Sequence, residues 1–212
     1  MEENSQVLNW ENIFKQSKNF KEQKPTRFAF IENIFFEEFY KDLFESYPNL
    51  DTFVDGSDHS KSQLSKSWKN ATGKYVAKGD DPQLSDSWNK FKRYLETKEC
   101  VTKFSDFSGV NVKRLKQVKF LAYRKGGFQL PHVHNVSKNE LVMLFYFSKG
   151  WKQGDPGGTY ISSDLDESSI IFEPYNLDNS ACIFQDGPKA FHGMRMITKD
   201  VERRGFQITM EG

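Results

Sequence analysis

Three histidines in the C-terminal half of the chain have a spacing suited to binding a metal ion. His132 and His134 alternate in the segment PHVHN, and residues i and i+2 of a β-strand point to the same face. Imidazole is a common ligand of zinc, copper and iron. His192 follows 58 residues after His134, and strands far apart in sequence can line one cavity of a barrel. The pattern therefore indicates a three-histidine metal site, with solvated strand histidines as the alternative.

Arginine is the next residue type that stands out, because the chain has seven arginines against 23 lysines. Arg203 and Arg204 open the last β-rich segment, RRGFQITM. Strand alternation puts Arg203, Gly205 and Gln207 on one face and Arg204 on the other. A guanidinium binds a carboxylate through two parallel hydrogen bonds better than an ammonium does. Either arginine is thus a candidate carboxylate anchor. Taken alone, however, either is more simply interpreted as a solvated surface charge.

The elements that position these residues are short strands. From about Val118 the hydrophobic period is two, and turn sequences such as GG, DPGG and DGP separate the runs. We expect strands in VKFLAY, LPHVHN, ELVMLFYFS, GTYIS, SIIF, ACIFQ and RGFQITM. Seven or eight short strands without helices between them predict a β-sandwich or a barrel over residues 111–212, with the jelly roll as the natural candidate.

The N-terminal part, residues 1–110, is expected to be helical. Apolar residues recur at helical spacing over Phe35–Phe44 and again over about Ser85–Phe104. Between them, Asp51–Asp81 is rich in Ser, Asp, Lys and Gly, so we expect a mobile loop that serves as a lid. The fold class is then α+β, a single domain over 1–212 with helices packed on a jelly-roll sheet.

Composition excludes several classes of protein. A length of 212 residues with 15% aromatic residues is enough to bury a core. A formal net charge of +1 disfavours a general nucleic-acid or anionic-membrane binder. The two cysteines form no CxxC pair, so neither a disulfide framework nor a cysteine zinc site is indicated. No apolar run approaches the roughly 18 residues of a membrane span, and the acidic start is unlike a signal peptide. We expect a cytoplasmic protein.

Together these features resemble the Fe(II)/2-oxoglutarate-dependent dioxygenases, specifically their prolyl-hydroxylase-like branch. The resemblance spans about Lys119 to Met210. It rests on the ordered series Tyr123-x-x-Gly126, Leu130-Pro-His132-Val-His134-Asn135, Leu144-Phe-Tyr146-Phe-Ser148, Trp151, Gly157-Gly158, Glu173-Pro174, Ile183-Phe184, His192-Gly193 and Arg203. It implies a double-stranded β-helix, the cupin-like form of the jelly roll, with helices packed on its core.

The resemblance also implies Fe(II) as the metal, with 2-oxoglutarate and O2 as cosubstrates. His132 and His192 then correspond to metal ligands, and Arg203 to the residue that holds the far carboxylate of 2-oxoglutarate. Arg204 is the alternative anchor, since the register is uncertain by one. Tyr146 resembles the tyrosine that hydrogen-bonds the same carboxylate, and Tyr123 is expected to face the cavity.

His134 departs from the family pattern, which has an aspartate at this position. An imidazole ligand is neutral, so a three-histidine site leaves the metal one unit more positive and changes its affinity and redox potential. Three outcomes follow: the site works with His134 as third ligand, a nearby acid such as Glu140 supplies the carboxylate, or the protein binds metal and hydroxylates poorly.

The resemblance implies a hydroxylase that acts on a small molecule, an amino acid or a peptide and releases succinate and CO2. Trp151 is a candidate substrate contact, with a structural turn anchor as the alternative. Two other functions stay open: a three-histidine dioxygenase that does not use 2-oxoglutarate, and a non-catalytic metal-binding barrel. The sequence leaves the substrate and the oligomeric state undetermined.

Overall fold

The computed structural model describes residues 7–68, 78–134, 136 and 139–212. In this part of the chain, helices cover one face of a pair of antiparallel sheets. The helices are α1 (Trp10–Lys15), α2 (Ser17–Glu22), α3 (Glu37–Glu45), α4 (Asp86–Leu95) and α5 (Lys98–Ser108). The strands are β1 (Phe28–Glu32), β2 (Val54–Asp55), β3 (Lys61–Ser62), β4 (Leu64–Ser67), β5 (Arg114–Tyr123), β6 (Phe128–His132), β7 (Glu140–Phe147), β8 (Thr159–Ser162), β9 (Ile170–Phe172), β10 (Asp178–Gln185), β11 (His192–Met194) and β12 (Arg203–Glu211).

The larger sheet has the strand order β1-β10-β7-β12-β5-β4-β2, and the smaller has the order β3-β6-β11-β8-β9. All strand pairs between these elements are antiparallel. Each of the seven predicted β-rich segments contains a strand, and within residues 111–212 the three-residue β11 is the strand that the hydrophobic pattern did not show. The predicted α+β class with a double-stranded β-helix is confirmed.

Alternation along the central strands divides the interior into two clusters. On β7, Leu141, Met143 and Phe145 pack against the helices, whereas Val142 and Leu144 face the smaller sheet. All eight residues of β7 are buried, because helices cover one face of the larger sheet and the second sheet covers the other. The space between the two sheets is where the candidate site lies.

The second predicted helix is two helices in the structure. Ser85 caps α4, since its Oγ accepts a hydrogen bond from the Trp88 N–H at 3.3 Å. The chain then turns, and the Thr97 Oγ1 accepts from the Cys100 N–H at 3.1 Å to start α5. A threonine at this position starts a new helix, so the prediction of one continuous helix was wrong. None of the described helices is long and apolar enough to cross a membrane.

The sequence had indicated a helical N-terminal part, but in the structure this part also contains strands. β1 pairs with β10 at one edge of the larger sheet, and β4 pairs with β5 toward the other edge. Residues 51–68 of the expected loop include β2, β3 and β4. These strands pair through backbone hydrogen bonds, which require no hydrophobic alternation in the sequence. Residues 69–77 of that expected loop lie outside the described residues, and its mobility stays a prediction.

Candidate metal centre

The smaller sheet brings the three histidines together. β6 and β11 pair so that His132 and His192 are direct neighbours across the ladder. His134 follows two residues after the end of β6. One ring nitrogen of each of the three lies within 4.8 Å of the others. The predicted convergence is therefore present, at a separation that one metal ion can bridge.

Each histidine ring is oriented by a hydrogen bond at Nδ1. The His132 Nδ1 lies 3.0 Å from the Leu130 carbonyl oxygen and the His192 Nδ1 lies 2.7 Å from the Ala190 carbonyl oxygen. A carbonyl oxygen can only accept, so these Nδ1 atoms carry the proton and donate it. The lone pair of each Nε2 is then available to a metal, which is the usual arrangement of histidine ligands.

The environment of these rings favours the neutral form that a metal needs. His192 is 5% exposed, and burial together with the neighbouring His132 lowers its pKa to about 3. Burial also lowers the pKa of His132, and the nearby His134 adds to this effect. Both rings are thus neutral at physiological pH, and a metal does not have to displace a proton from them.

His134 is held by an acid rather than by a carbonyl group. Its Nδ1 lies 2.6 Å from the Asp186 Oδ2. Glu140, the acid that sequence reasoning had named as a substitute ligand, instead forms an ion pair with the Lys116 Nζ at 2.6 Å. Among the described residues, the group of side chains able to hold a metal contains the three histidines and no carboxylate.

Arg203 lies in the same cavity as the histidines. It is 1% exposed, its Nε donates to the Gly157 carbonyl oxygen at 3.2 Å and its Nη2 donates to the Thr159 Oγ1 at 3.1 Å. Its Nη1 is buried and has no hydrogen-bond partner in the described part of the chain. A buried guanidinium with a free donor and no counter-ion among the described residues is suited to bind an anion, since an unpaired buried charge is costly.

Arg204 points away from the cavity. Its Nη2 lies 2.7 Å from the Glu202 Oε2, and its guanidinium lies over the Tyr47 ring. The face alternation predicted for β12 is therefore confirmed. Of the two arginines, the structure places Arg203 in the cavity.

The two tyrosines enclose the Arg203 guanidinium. The guanidinium carbon lies 5.0 Å from the centre of the Tyr123 ring and 4.8 Å from that of Tyr146. The Thr159 N–H donates to the Tyr146 hydroxyl at 3.2 Å, and burial raises the pKa of Tyr146. Its hydroxyl thus keeps a proton that it can donate. Tyr123 lines the cavity, as expected, whereas Tyr146 packs beneath the arginine.

Trp151 lies outside the cavity. Its Nε1 donates to the Pro156 carbonyl oxygen at 3.0 Å, and its ring packs so closely on Gly157 that an added Cβ there would lie 3.1 Å from the Nε1. This geometry favours the role of a structural turn anchor over that of a substrate contact.

The cavity has a volume of about 260 Å³, and several of its polar residues were not anticipated. The Gln63 amide donates to the Tyr123 hydroxyl, which in turn donates to the Gln129 Oε1 at 3.4 Å. Lys119 also lines the wall, and burial and the nearby Lys61 lower its pKa. Lys119 lay in a predicted strand, but lysine and glutamine are usually surface residues, so nothing in the sequence marked Lys119, Gln63 or Gln129 as site residues.

The residues present fit the metal and the cosubstrate that the resemblance implies. Three converging imidazoles suit Fe(II), Zn²⁺ or Cu²⁺. The free Nη1 of Arg203 suits a carboxylate, and the tyrosine rings around it exclude water. A dicarboxylate that chelates a metal at one end and is bound by arginine at the other matches both features.

Solved structures with a similar fold include two prolyl hydroxylases and a protein solved with bound 2-oxoglutarate. A Pseudomonas putida prolyl-4-hydroxylase aligns with a TM-score of 0.68 at 10% identity, covering 94% of this chain and 98% of that one. A Trichoplax adhaerens prolyl hydroxylase, solved with a peptide of a hypoxia inducible factor, aligns with a TM-score of 0.65 at 13% identity over 95% and 88% of the two chains. Streptomyces hygroscopicus HygX, solved with nickel, 2-oxoglutarate and hygromycin B, aligns with a TM-score of 0.62 at 13% identity over 93% and 86%.

The chain therefore has the double-stranded β-helix fold of the 2-oxoglutarate–Fe(II) oxygenases, and the resemblance seen in the sequence is confirmed at the level of fold. Its structural neighbours include prolyl hydroxylases of that class. No protein-family model and no curated protein sequence matches the chain.

Proposed function

We propose that this protein is a non-haem Fe(II)/2-oxoglutarate-dependent oxygenase that hydroxylates a small molecule, an amino acid or a peptide. One observation carries the proposal. A buried arginine whose Nη1 has no hydrogen-bond partner among the described residues lies in the same cavity as three histidines, each with one ring nitrogen within 4.8 Å of the others. A metal alone explains the histidines and an anion alone explains the arginine, and 2-oxoglutarate at a metal explains both.

The protein's own groups have separate roles in this proposal. His132, His134 and His192 hold the metal on one side and leave the rest of its coordination sphere to ligands from the cavity. Arg203 binds the far carboxylate of 2-oxoglutarate, and Tyr146 donates its hydroxyl proton to the same group. The Tyr123 ring covers the guanidinium and excludes water, so the arginine's interaction with the carboxylate is stronger than in solvent.

The bound metal, 2-oxoglutarate and O2 supply the chemistry, which is oxidative decarboxylation to succinate and CO2 coupled to hydroxylation of a C–H bond. The class of substrate stays open, because the neighbouring structures contain ligands as different as a peptide and hygromycin B. The cavity walls near the histidines then select the substrate.

Succinate release tests the proposal. The purified protein is incubated with Fe(II), 2-oxoglutarate and O2, and succinate is measured by mass spectrometry. We expect iron-dependent release that His132→Ala and His192→Ala abolish. His59→Ala is the matched control, since His59 lies in an exposed turn and should leave the rate unchanged. Unimpaired release in either ligand variant would refute the proposal.

His134 favours one alternative, a three-histidine dioxygenase that does not use 2-oxoglutarate. In that case Arg203→Ala leaves metal-dependent oxygen consumption intact. A loss of 2-oxoglutarate binding in the same variant counts against this alternative. The remaining alternative is a catalytically impaired metal-binding barrel. In that case the protein binds metal and consumes no oxygen with any substrate.

A further inference from the structure

The acid behind His134 distinguishes this histidine from the other two. His132 and His192 donate their Nδ1 protons to backbone carbonyl oxygens, which carry no net charge. His134 contacts the Asp186 carboxylate at 2.6 Å. The one histidine that stands where the resembling family has an aspartate is thus the one with an aspartate behind it.

The carboxylate of Asp186 is fixed in place from several directions. Its side chain is 2% exposed, whereas that of His134 is 37% exposed. The Asp186 Oδ1 accepts from the Gly187 N–H at 2.8 Å, and the Asp186 N–H donates to the Glu140 carbonyl oxygen at 3.0 Å. Burying a carboxylate is unfavourable unless it is hydrogen-bonded, and here one oxygen is bound by the turn and the other by the histidine.

We propose that Asp186 is a positioning residue that fixes His134 as the third metal ligand and returns to the site the negative charge that a direct aspartate ligand would carry. The proposal rests on the metal site of the proposed function. A carboxylate that accepts from Nδ1 keeps the proton on that atom, orients the ring and makes Nε2 a stronger donor to the metal. The charge then acts through the imidazole instead of in direct contact with the metal.

Metal titration of the metal-free protein tests this role without turnover. Asp186→Asn keeps the shape and an acceptor oxygen and removes the charge. Loss of a carboxylate behind a ligand histidine typically weakens metal binding about 10-fold to 100-fold, and we expect a loss in this range for Ni²⁺ and Co²⁺ by calorimetry. Asp155→Asn is the matched control, because Asp155 pairs with Lys199 outside the cavity, and it should change the affinity less than about twofold.

A thermodynamic cycle separates positioning from folding. In a His134→Asp background the third ligand carries its own charge, so adding Asp186→Asn should cost metal affinity much less than it does in the wild type. The visible absorption of bound Co²⁺ should change in the Asp186→Asn single variant and stay unchanged in the control. A purely structural role for Asp186 predicts equal losses in both backgrounds and an unchanged Co²⁺ spectrum, and that result overturns the proposal.

The outcomes also separate this proposal from the proposed function. If the wild type binds no metal, both fail. If the wild type binds metal and 2-oxoglutarate and Asp186→Asn binds metal as tightly as the wild type, the role of Asp186 alone fails.

A second inference concerns Lys119, which supplies another positive charge to the cavity. Lys119 pairs with Gln207 in the β5–β12 ladder and lies on the same strand face as Tyr123, the residue opposite Arg203. In the described part of the chain it has no acidic partner. Four residues of strand separate Lys119 from Tyr123, about 13 Å of backbone, so Lys119 joins the cavity wall at a different position along the strand from Arg203.

We infer that Lys119 binds a carboxylate of the substrate, which makes the substrate an acid. This inference also rests on the proposed function. The test uses two probes that differ only in the acid, N-acetylglycine and N-acetylglycinamide, added to protein saturated with Ni²⁺ and 2-oxoglutarate and followed by ligand-observed NMR. We expect the acid to bind at least tenfold more tightly than the amide, Lys119→Met to abolish this preference, and Lys119→Arg to retain it.

Equal binding of the two probes to the wild type, binding of neither, or an unchanged preference in Lys119→Met overturns the inference. The affinity for 2-oxoglutarate is measured in the same variants. A tenfold loss of that affinity in Lys119→Met assigns Lys119 to the metal-end carboxylate of 2-oxoglutarate instead, and the substrate assignment then fails while the proposed function stands.

Discussion

Replacing Arg203 with lysine should selectively weaken 2-oxoglutarate binding. Lysine keeps the positive charge, but a compact ammonium group cannot bind the Gly157 carbonyl oxygen, the Thr159 Oγ1 and a ligand carboxylate together as the planar guanidinium does. The interaction lost is the charge-assisted hydrogen bond from Nη1, worth about 1.5–3 kcal/mol. At 1.4 kcal/mol for each factor of ten, this corresponds to a loss of affinity of about 10-fold to 150-fold.

Calorimetric titration of 2-oxoglutarate into Ni²⁺-loaded protein measures this loss directly. Arg204→Lys is the matched control, because Arg204 pairs with Glu202 outside the cavity, and its affinity should stay within about twofold of the wild type. Nickel affinity should be unchanged in both variants. The reasoning is refuted if Arg203→Lys binds 2-oxoglutarate as tightly as the wild type, or if Arg204→Lys shows the larger loss.

Three further substitutions test individual contacts. Gly193→Ala puts a Cβ 2.8 Å from the Gln129 carbonyl oxygen, so β11 must shift, and we expect a loss of about 1–3 kcal/mol in unfolding free energy together with weaker Ni²⁺ binding. Tyr146→Phe removes one neutral hydrogen-bond donor, worth about 0.5–1.5 kcal/mol, and should weaken 2-oxoglutarate about twofold to tenfold by calorimetry without changing Ni²⁺ affinity. Thr97→Ala removes the cap that accepts from the Cys100 N–H and should cost about 1 kcal/mol, a fall of about 2–4 °C in Tm, with metal binding unchanged. Each expectation fails if the stated property stays at its wild-type value.

Local alternation explains why much of the site could be predicted from the sequence. In a regularly paired strand the side-chain period is two, so the sequence placed Arg203 and Arg204 on opposite faces of β12, and the structure shows that Arg203 is the one that faces the cavity. The neighbouring positions of His132 and His192 could not be derived from spacing, because they depend on the pairing of β6 with β11. What the resemblance implied was only that both histidines bind the metal.

The rest of the site depends on contacts between distant residues. Asp186 is 52 residues from His134, and in the sequence it belonged to an ordinary turn, Asp-Gly-Pro. Lys119 was one of 23 lysines, and only the fold shows that it lines the cavity with no acidic partner among the described residues. For Trp151 the sequence left a substrate contact and a structural turn anchor open, and the hydrogen bond from its Nε1 to the Pro156 carbonyl oxygen, five residues away, favours the turn anchor.

The short N-terminal strands were not predicted for a related reason. β4, Leu64–Ser67, has the sequence LSKS, which lacks the β-branched and aromatic residues that usually mark a strand. It pairs at the exposed side of β5 through backbone hydrogen bonds. The extended conformation of β4 is therefore determined by its pairing with β5 and not by its own residues.

A crystal structure of the protein with Ni²⁺ and 2-oxoglutarate tests the central claim most directly. The account predicts one metal ion bound to the Nε2 atoms of His132, His134 and His192, with 2-oxoglutarate chelating the metal and its far carboxylate bound to the Nη1 of Arg203. A metal held by other residues, or 2-oxoglutarate absent from the cavity under conditions where the metal is bound, would contradict it.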